Sequence, residues 1–136
     1  MADTDPSEAN NVSRQVTILV VEDEILVRST TSESLRDLGF TVIEAADAEE
    51  AMAVFAGRQN IDVVFTDWRM PGSMNGLELA RWVSEHQPTV KILLTSGNNE
   101  FTNATTYLAK DAFLRKPYSL EAVAERIRAM TGSARR

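Results

Sequence analysis

The sequence predicts a doubly wound α/β domain, in which a five-stranded parallel sheet carries helices on both faces. Five short apolar runs, built mainly from Val, Ile, Leu and Phe, alternate with stretches of helical spacing. The first run, Val16 to Val21, is a continuous apolar run of the kind found in strands covered on both faces. Strands separated by single helices of ordinary length call for parallel pairing through right-handed crossovers. At 136 residues, 43% hydrophobic and 25% charged, the chain suits one globular domain with room for a core.

Residues 1–14 are polar and without periodicity, so a mobile tail is expected there. Val16 to Val21 is the first strand, and it stops at three carboxylates, Glu22, Asp23 and Glu24. Residues 25–38 place Val27, Thr31, Leu35 and Leu38 on one helical face, with Gly39 as the stop. Phe40 to Glu44 is the second strand. Ala48, Ala51, Met52 and Phe55 make residues 47–56 an amphipathic helix ended by Gly57. Ile61 to Thr66 is the third strand, and it delivers Asp67 to the sheet edge before the chain breaks at Pro71-Gly72. Leu79, Trp82, Val83 and His86 repeat the helical spacing as far as Pro88. Val90 to Leu94 is the fourth strand, ending at Thr95-Ser96-Gly97. Asn and Thr dominate Asn98 to Lys110, so the fourth helix in chain order is expected to be short or irregular. Ala112 to Arg115 is a short fifth strand leading to Lys116-Pro117. Leu120, Val123, Ala124 and Ile127 define the last helix, with Ser119 as its N-cap and fraying expected from Thr131 to Arg136.

Composition excludes several chemistries. There is no cysteine and one histidine, so neither a disulfide framework nor a thiolate or His-rich zinc site can be built, and any metal would be held by oxygen. The net charge is −6, with residues 110–136 at +4 and the rest at −10. That balance argues against direct nucleic-acid binding, while the basic end is either a partner face or ordinary solvated helix charge. No apolar run approaches the roughly 18 residues of a spanning helix, and the start lacks an apolar leader. The expectation is a soluble, cytoplasmic protein.

In such folds ligands bind at the carboxyl ends of the strands. Four of the five strands end there in chemistry: Glu22 and Asp23, Asp67, Thr95 with Ser96, and Lys116. Taken alone, the acidic triad suits a helix N-terminus as well as a site, Lys116-Pro117 a turn, and Thr95 a strand-end hydroxyl. Together, carboxylates brought to one edge hold one another protonated unless cations neutralise them. Lys116 supplies one charge, and Mg²⁺, which keeps several waters and takes one or two carboxylates, suits the remainder. A carboxylate beside a metal, a lysine and a hydroxyl is equipped to accept a phosphoryl group.

Val20-Val21-Glu22-Asp23-Glu24, Thr66-Asp67-Trp68-Arg69-Met70-Pro71-Gly72, Asn75-Gly76-Leu77-Glu78-Leu79, Leu94-Thr95-Ser96-Gly97 and Phe113-Leu114-Arg115-Lys116-Pro117-Tyr118 stand in this order across residues 16–130. The chain thereby resembles the receiver domain of two-component response regulators, of the stand-alone chemotaxis-regulator type. The resemblance implies a flavodoxin-like strand order 2-1-3-4-5 and a receiver domain over residues 15–130, with tails at 1–14 and 131–136. It implies that Asp67 is the phosphoacceptor, served by Thr95 and Lys116. Glu22, Asp23, Asp67 and the Arg69 backbone carbonyl would bind Mg²⁺, with Glu22 acting through water. Thr95 and Phe113 would form the switch, and the Lys116-Pro117 bond would be cis. The implied partners are a sensor histidine kinase or phosphotransfer protein and an unidentified downstream protein, with the chain a monomer or weak dimer. The implied protein is no enzyme beyond catalysing its own phosphorylation and dephosphorylation. Glu22 stands where the family more often has Asp, and the loop from Pro71 to Gly76 is one residue longer than its commonest pattern.

Other functions fit less well. An aspartyl-phosphate phosphatase needs a carboxylate two residues after its nucleophile, and that position is Arg69. A flavin carrier needs a hydroxyl- and glycine-rich loop where Glu22-Asp23-Glu24 would repel phosphate. A receiver-like module that binds partners without phosphorylation remains the alternative. Trp82 and His86 are expected as core and helix-dipole partner respectively. Trp68 either covers apolar surface or lies beside the metal, and Tyr118 is either core or recognition surface.

Overall fold

The five strands form one parallel sheet in the order 2-1-3-4-5, the order the resemblance implies. The computed structural model describes residues 15–57, 59–70, 72–97 and 112–132. Along the chain run β1 (Thr17–Val21), α1 (Ile25–Asp37), β2 (Thr41–Ala45), α2 (Ala48–Ala56), β3 (Val63–Asp67), α3 (Gly76–His86), β4 (Lys91–Ser96), β5 (Phe113–Arg115) and α4 (Leu120–Thr131). The expected helix between the fourth and fifth strands lies outside the described residues, as do residues 1–14 and 133–136. Among the described residues no helix is long and apolar enough to cross a membrane.

The apolar runs are explained by two cores, one on each face of the sheet. Ile18 and Val20 of β1 face one side with Val63, Phe65 and Leu93, covered by Leu35 of α1 and by Val123, Ala124 and Ile127 of α4. Leu19 and Val21 face the other side with Val64, Ile92 and Leu94, covered by Ala51 and Phe55 of α2 and by Leu79 and Val83 of α3. Successive strand residues therefore enter opposite cores, so each position from Ile18 to Val21 of β1 is buried and apolar, and only Thr17 at its start is polar.

Three helices start where a side chain satisfies the orphan backbone donors. Asp47 accepts from the Glu50 N–H at 2.9 Å, and Ser119 from the Ala122 N–H at 3.0 Å. Asn75 and Glu78 close a reciprocal capping box, with both bonds at 2.8 Å. At the other end of α4, Gly132 takes a left-handed conformation at φ 73°, and the Thr131 hydroxyl donates to the Ile127 carbonyl. Thr131 is thus the last helical residue, where fraying was expected.

One expectation about packing is corrected. The predicted face of the first helix was Val27, Thr31, Leu35 and Leu38, but α1 buries Ser32 and Leu35, while Val27 is 42% exposed. Val27 instead lines a cavity at the strand ends, together with Val20, Phe65 and Asp67. Trp82 packs on the α2/α3 core as expected, half-buried, with its ring 5.9 Å from Phe55 and stacked on His86 at 4.7 Å. The His86 Nδ1 meets the Trp82 carbonyl at 2.9 Å, and since a carbonyl can only accept, that nitrogen carries the proton.

Candidate functional site

Strand pleating decides what meets at the carboxyl edge. In β3, Val63 and Phe65 face the α1/α4 core, so Asp67, two residues on, points to the same side. In β4, Leu93 faces that core and Thr95 follows it in the same sense. Asp67 and Thr95 are direct register partners, and β1 ends beside β3 with Val21 opposite Thr66. Glu22 and Asp23 are therefore delivered next to Asp67 by the neighbouring strand.

The centre of the arrangement is a short ion pair. Lys116 Nζ donates to Asp67 Oδ2 at 2.5 Å, and the other oxygen, Oδ1, accepts the Arg69 N–H at 3.2 Å. Burial works against the Lys116 charge, but the hydrogen bond and the charge of Asp67 outweigh it and hold the ammonium above its usual range. Thr95 is buried, with 2% of its surface exposed. The Lys116-Pro117 bond is cis, as the resemblance implies.

The acidic triad is not serving as a helix cap. Glu24 is the N-cap of α1 without any side-chain cap bond, and no acid lies in the first turn. Instead Glu22 accepts the Glu24 N–H at 2.9 Å. Burial raises the Glu22 pKa most, and the charges of Asp23 and Asp67 push it further, against the backbone bond from Glu24. Arg28 anchors the loop from the other side: its Nη1 donates to the Glu22 carbonyl at 2.8 Å while its Nε pairs with Glu44 at 3.4 Å.

Among the described residues no three Asp, Glu or His side chains converge tightly enough to enclose a metal. The donor set still fits Mg²⁺, because that ion keeps several waters and needs only one or two carboxylates. The Glu22 pKa is raised by burial first and then by the charges of Asp23 and Asp67, and a cation there would offset both.

Several other residues find their places. Phe113 is half-buried against the α2/α3 core, and its carbonyl accepts from Arg126 Nη1 of α4 at 2.7 Å. Trp68 packs on the same core, which favours a loop aromatic covering apolar surface. Arg69 is exposed. Pro71 lies outside the described residues.

Sequence reasoning passed over Gly76. A Cβ on Gly76 would fall 1.8 Å from the Asp67 carbonyl oxygen, and its own N–H donates to the Trp68 carbonyl at 2.8 Å. The first residue of α3 is thus pressed against the backbone that carries Asp67. The capping pattern Asn75-Gly76-Leu77-Glu78 was the available signal. Tyr118, left open between core and surface, packs edge-on to Phe65 with ring centroids 6.0 Å apart. A cavity of about 110 Å³ opens among these residues, lined by Glu22, Val27, Asp67, Thr95, Lys116 and Tyr118 among others.

Comparison with known proteins agrees with this geometry. The family model of the response regulator receiver domain matches residues 18–128. The sensor kinase CckA of Brucella abortus is 35% identical over 126 residues, covering 90% of this chain and 13% of that protein. A crystal structure of the receiver domain from the hybrid histidine kinase CckA superposes with a TM-score of 0.69 at 34% identity, covering 85% of this chain and 98% of the other. The response regulator TrrA of Thermotoga maritima, solved in complex with Mg²⁺-BeF, gives a TM-score of 0.75 at 27% identity, with 85% and 99% covered. The chain spans about half or less of the length of the curated relatives it matches.

Proposed function

Because the chain belongs to the response regulator receiver domain family, we propose that Asp67 accepts a phosphoryl group from a histidine kinase or phosphotransfer protein, and that its modification changes a partner-binding surface. The observation that carries this reading is the contact of Lys116 Nζ with Asp67 Oδ2 at the strand ends, with the Thr95 hydroxyl on the same face. A lone carboxylate at a strand end would be solvated or capping; this one is oriented by a mobile ammonium that can transfer to a phosphoryl oxygen.

In the transfer, an Asp67 oxygen forms a bond to phosphorus as the P–N bond of the donor phosphohistidine breaks. The leaving imidazole nitrogen takes a proton from solvent. Lys116 neutralises charge on the phosphoryl oxygens, and Thr95 donates a hydrogen bond to one of them. Glu22, Asp23, Asp67 and the Arg69 carbonyl would hold Mg²⁺, which supplies further charge neutralisation and alignment. Phe113 and Thr95 would register the change. The protein turns over no external substrate in this reading. It acts in the cytoplasm, as a monomer or weak dimer, through residues 15–130 and without direct nucleic-acid contact.

The test is intact-mass measurement after incubation with Mg²⁺ and a small phosphodonor such as acetyl phosphate. Wild type is expected to gain one phosphoryl group and Asp67→Asn none. A wild type that gains nothing at any donor concentration replaces this reading with that of a protein-binding module acting without phosphorylation.

A further inference from the structure

On the proposed reading that Glu22 and Asp23 hold Mg²⁺ beside Asp67, we infer that Arg28 is a positioning residue for this acidic loop. Its guanidinium ties the Glu22 peptide to Glu44 of β2 and so sets the loop before a cation arrives. Arg28 lies outside the donor set and acts only through the backbone it holds.

Glu22 is fixed on both sides of its backbone. β1 ends with Val21 in register with Ala45 of β2, and the Glu22 N–H prolongs that pairing by donating to the Ala45 carbonyl at 3.0 Å. The Glu22 carbonyl accepts from Arg28 Nη1 at 2.8 Å. Arg28 Nε pairs at 3.4 Å with Glu44, the residue before Ala45. Arg28 thus joins the loop after β1 to the end of β2, two segments that are neighbours only because their strands pair. Glu44 is itself held by a second arginine, Arg36, whose Nη2 lies 3.2 Å from its carboxylate and donates to the Val42 carbonyl at 3.0 Å.

Local preference does not put a cation here. Arg28 is the fourth residue of α1, close to a helix start whose N–H groups disfavour positive charge, and no acid stands in the first turn to offset it. Its side chain is nonetheless withdrawn from water, 17% exposed against 45% for Arg36. A guanidinium so placed needs acceptors, and the Glu22 carbonyl and the Glu44 carboxylate supply them. Its planar fork serves both at once, whereas a lysine ammonium is a single point of charge on a flexible stem. The tie matters because Glu22, Asp23 and Asp67 repel one another when no cation is bound. A free loop would relax by moving away and would have to be drawn back when Mg²⁺ binds, while a held loop needs no such ordering.

Mg²⁺ affinity is read from the amide chemical shifts of Asp23 and Asp67 as Mg²⁺ is titrated into wild type, Arg28→Met and Arg28→Lys. A positive charge repels a divalent cation, so if Arg28 were only a charge, its removal would tighten binding. Removal of a tie weakens binding, and the two roles are separated by sign. Arg28→Met is expected to bind Mg²⁺ about tenfold more weakly, the lower end of the range for groups that orient metal ligands. Arg28→Lys is expected to bind more weakly than wild type as well, because its ammonium does not reproduce the fork. Tighter or unchanged binding in Arg28→Met, or wild-type binding in Arg28→Lys, overturns the inference. In the metal-free protein, hydrogen exchange at the Glu22 N–H should accelerate in Arg28→Met more than at Leu93, which pairs with Phe65 inside the sheet. Equal acceleration at both, the mark of a loss of overall stability alone, overturns the inference. If Arg28→Met does not fold, Arg28→Lys decides by the same two readouts. Wild type whose Asp23 and Asp67 signals ignore Mg²⁺ removes the Mg²⁺ site of the proposed function and this inference together. Equal Mg²⁺ binding by wild type and variants removes only the inference.

Discussion

Glu22 carries the conflict between stability and function in its clearest form. Its carboxyl is partly buried and faces the charges of Asp23 and Asp67, and its pKa is raised above 4.5. A raised pKa means that the folded state holds the proton more tightly than the unfolded chain. Stability of the metal-free protein is therefore greatest below the ordinary Glu range, falls as pH rises through the folded pKa, and carries the full penalty at neutral pH. Glu22→Gln removes that penalty while keeping an acceptor for the Glu24 N–H. The expected outcome in chelator is a higher unfolding midpoint at pH 7.5 than wild type, with the gap closing toward pH 4.5. In the presence of Mg²⁺ the order should reverse or narrow, since wild type alone keeps the charge a cation stabilises. Thermal unfolding at two pH values with and without Mg²⁺ checks this, and equal midpoints at pH 7.5 in chelator would contradict it. Asp67, Thr95 and Lys116 were legible in the sequence because each is a polar residue ending an apolar run. The packing of Tyr118 against Phe65 was not, because it depends on which face of the sheet the chain returns to after β5. Residue type alone does not reveal that.

At the level of elements, the strands were legible because both faces of the sheet are covered, so their central positions are apolar and buried, as in Ile18 to Val21 and Ile92 to Leu94. Their ends were less so. The third and fourth strands were expected to stop at Thr66 and Leu94, yet β3 runs to Asp67 and β4 to Ser96. The sheet continues into the polar residues that the site uses, and hydropathy marks those as loop. The start of α3 shows how an element boundary sets a side chain. Asn75 and Glu78 cap the helix, and Gly76 packs its backbone against the Asp67 carbonyl. A helical Gly→Ala change ordinarily stabilises by roughly 0.5–1 kcal/mol. Here the added Cβ would lie 1.8 Å from the Asp67 oxygen and 2.8 Å from its carbon, both backbone atoms that cannot rotate away. Gly76→Ala is therefore expected to destabilise by about 1–3 kcal/mol, the range of overpacked sites. It should also slow phosphoryl uptake at Asp67 by shifting the end of β3. Urea unfolding alongside intact mass reads both effects, and a more stable variant would show that the helix start yields at little cost.

The whole molecule presents its site next to apolar surface. Among the described residues, the exposed large hydrophobics are Ile25 at 66%, Leu26 at 74% and Val27 at 42%, all in the first turn of α1. They directly follow Glu22-Asp23-Glu24 in sequence, and Val27 borders the cavity that contains Asp67. Three adjacent exposed apolar residues at the mouth of a reaction site have a physical reason to stay there if a protein donor covers them during transfer. A small phosphodonor needs no such contact, so the two donors separate docking from chemistry. Leu26→Ser removes an exposed side chain and leaves Asp67, Lys116 and Thr95 untouched. If a donor protein buries Leu26, its loss costs about 1–2 kcal/mol of association, a factor of roughly 5–30. The expected outcome is that Leu26→Ser takes up phosphoryl groups from acetyl phosphate at the wild-type rate. Transfer from its phosphorylated histidine donor should have a kcat/KM lower by that factor, with the loss in KM. Equal slowing with both donors would mean that the first turn of α1 shapes the reaction centre itself, and unchanged transfer from the protein donor would place the docking face elsewhere on the molecule.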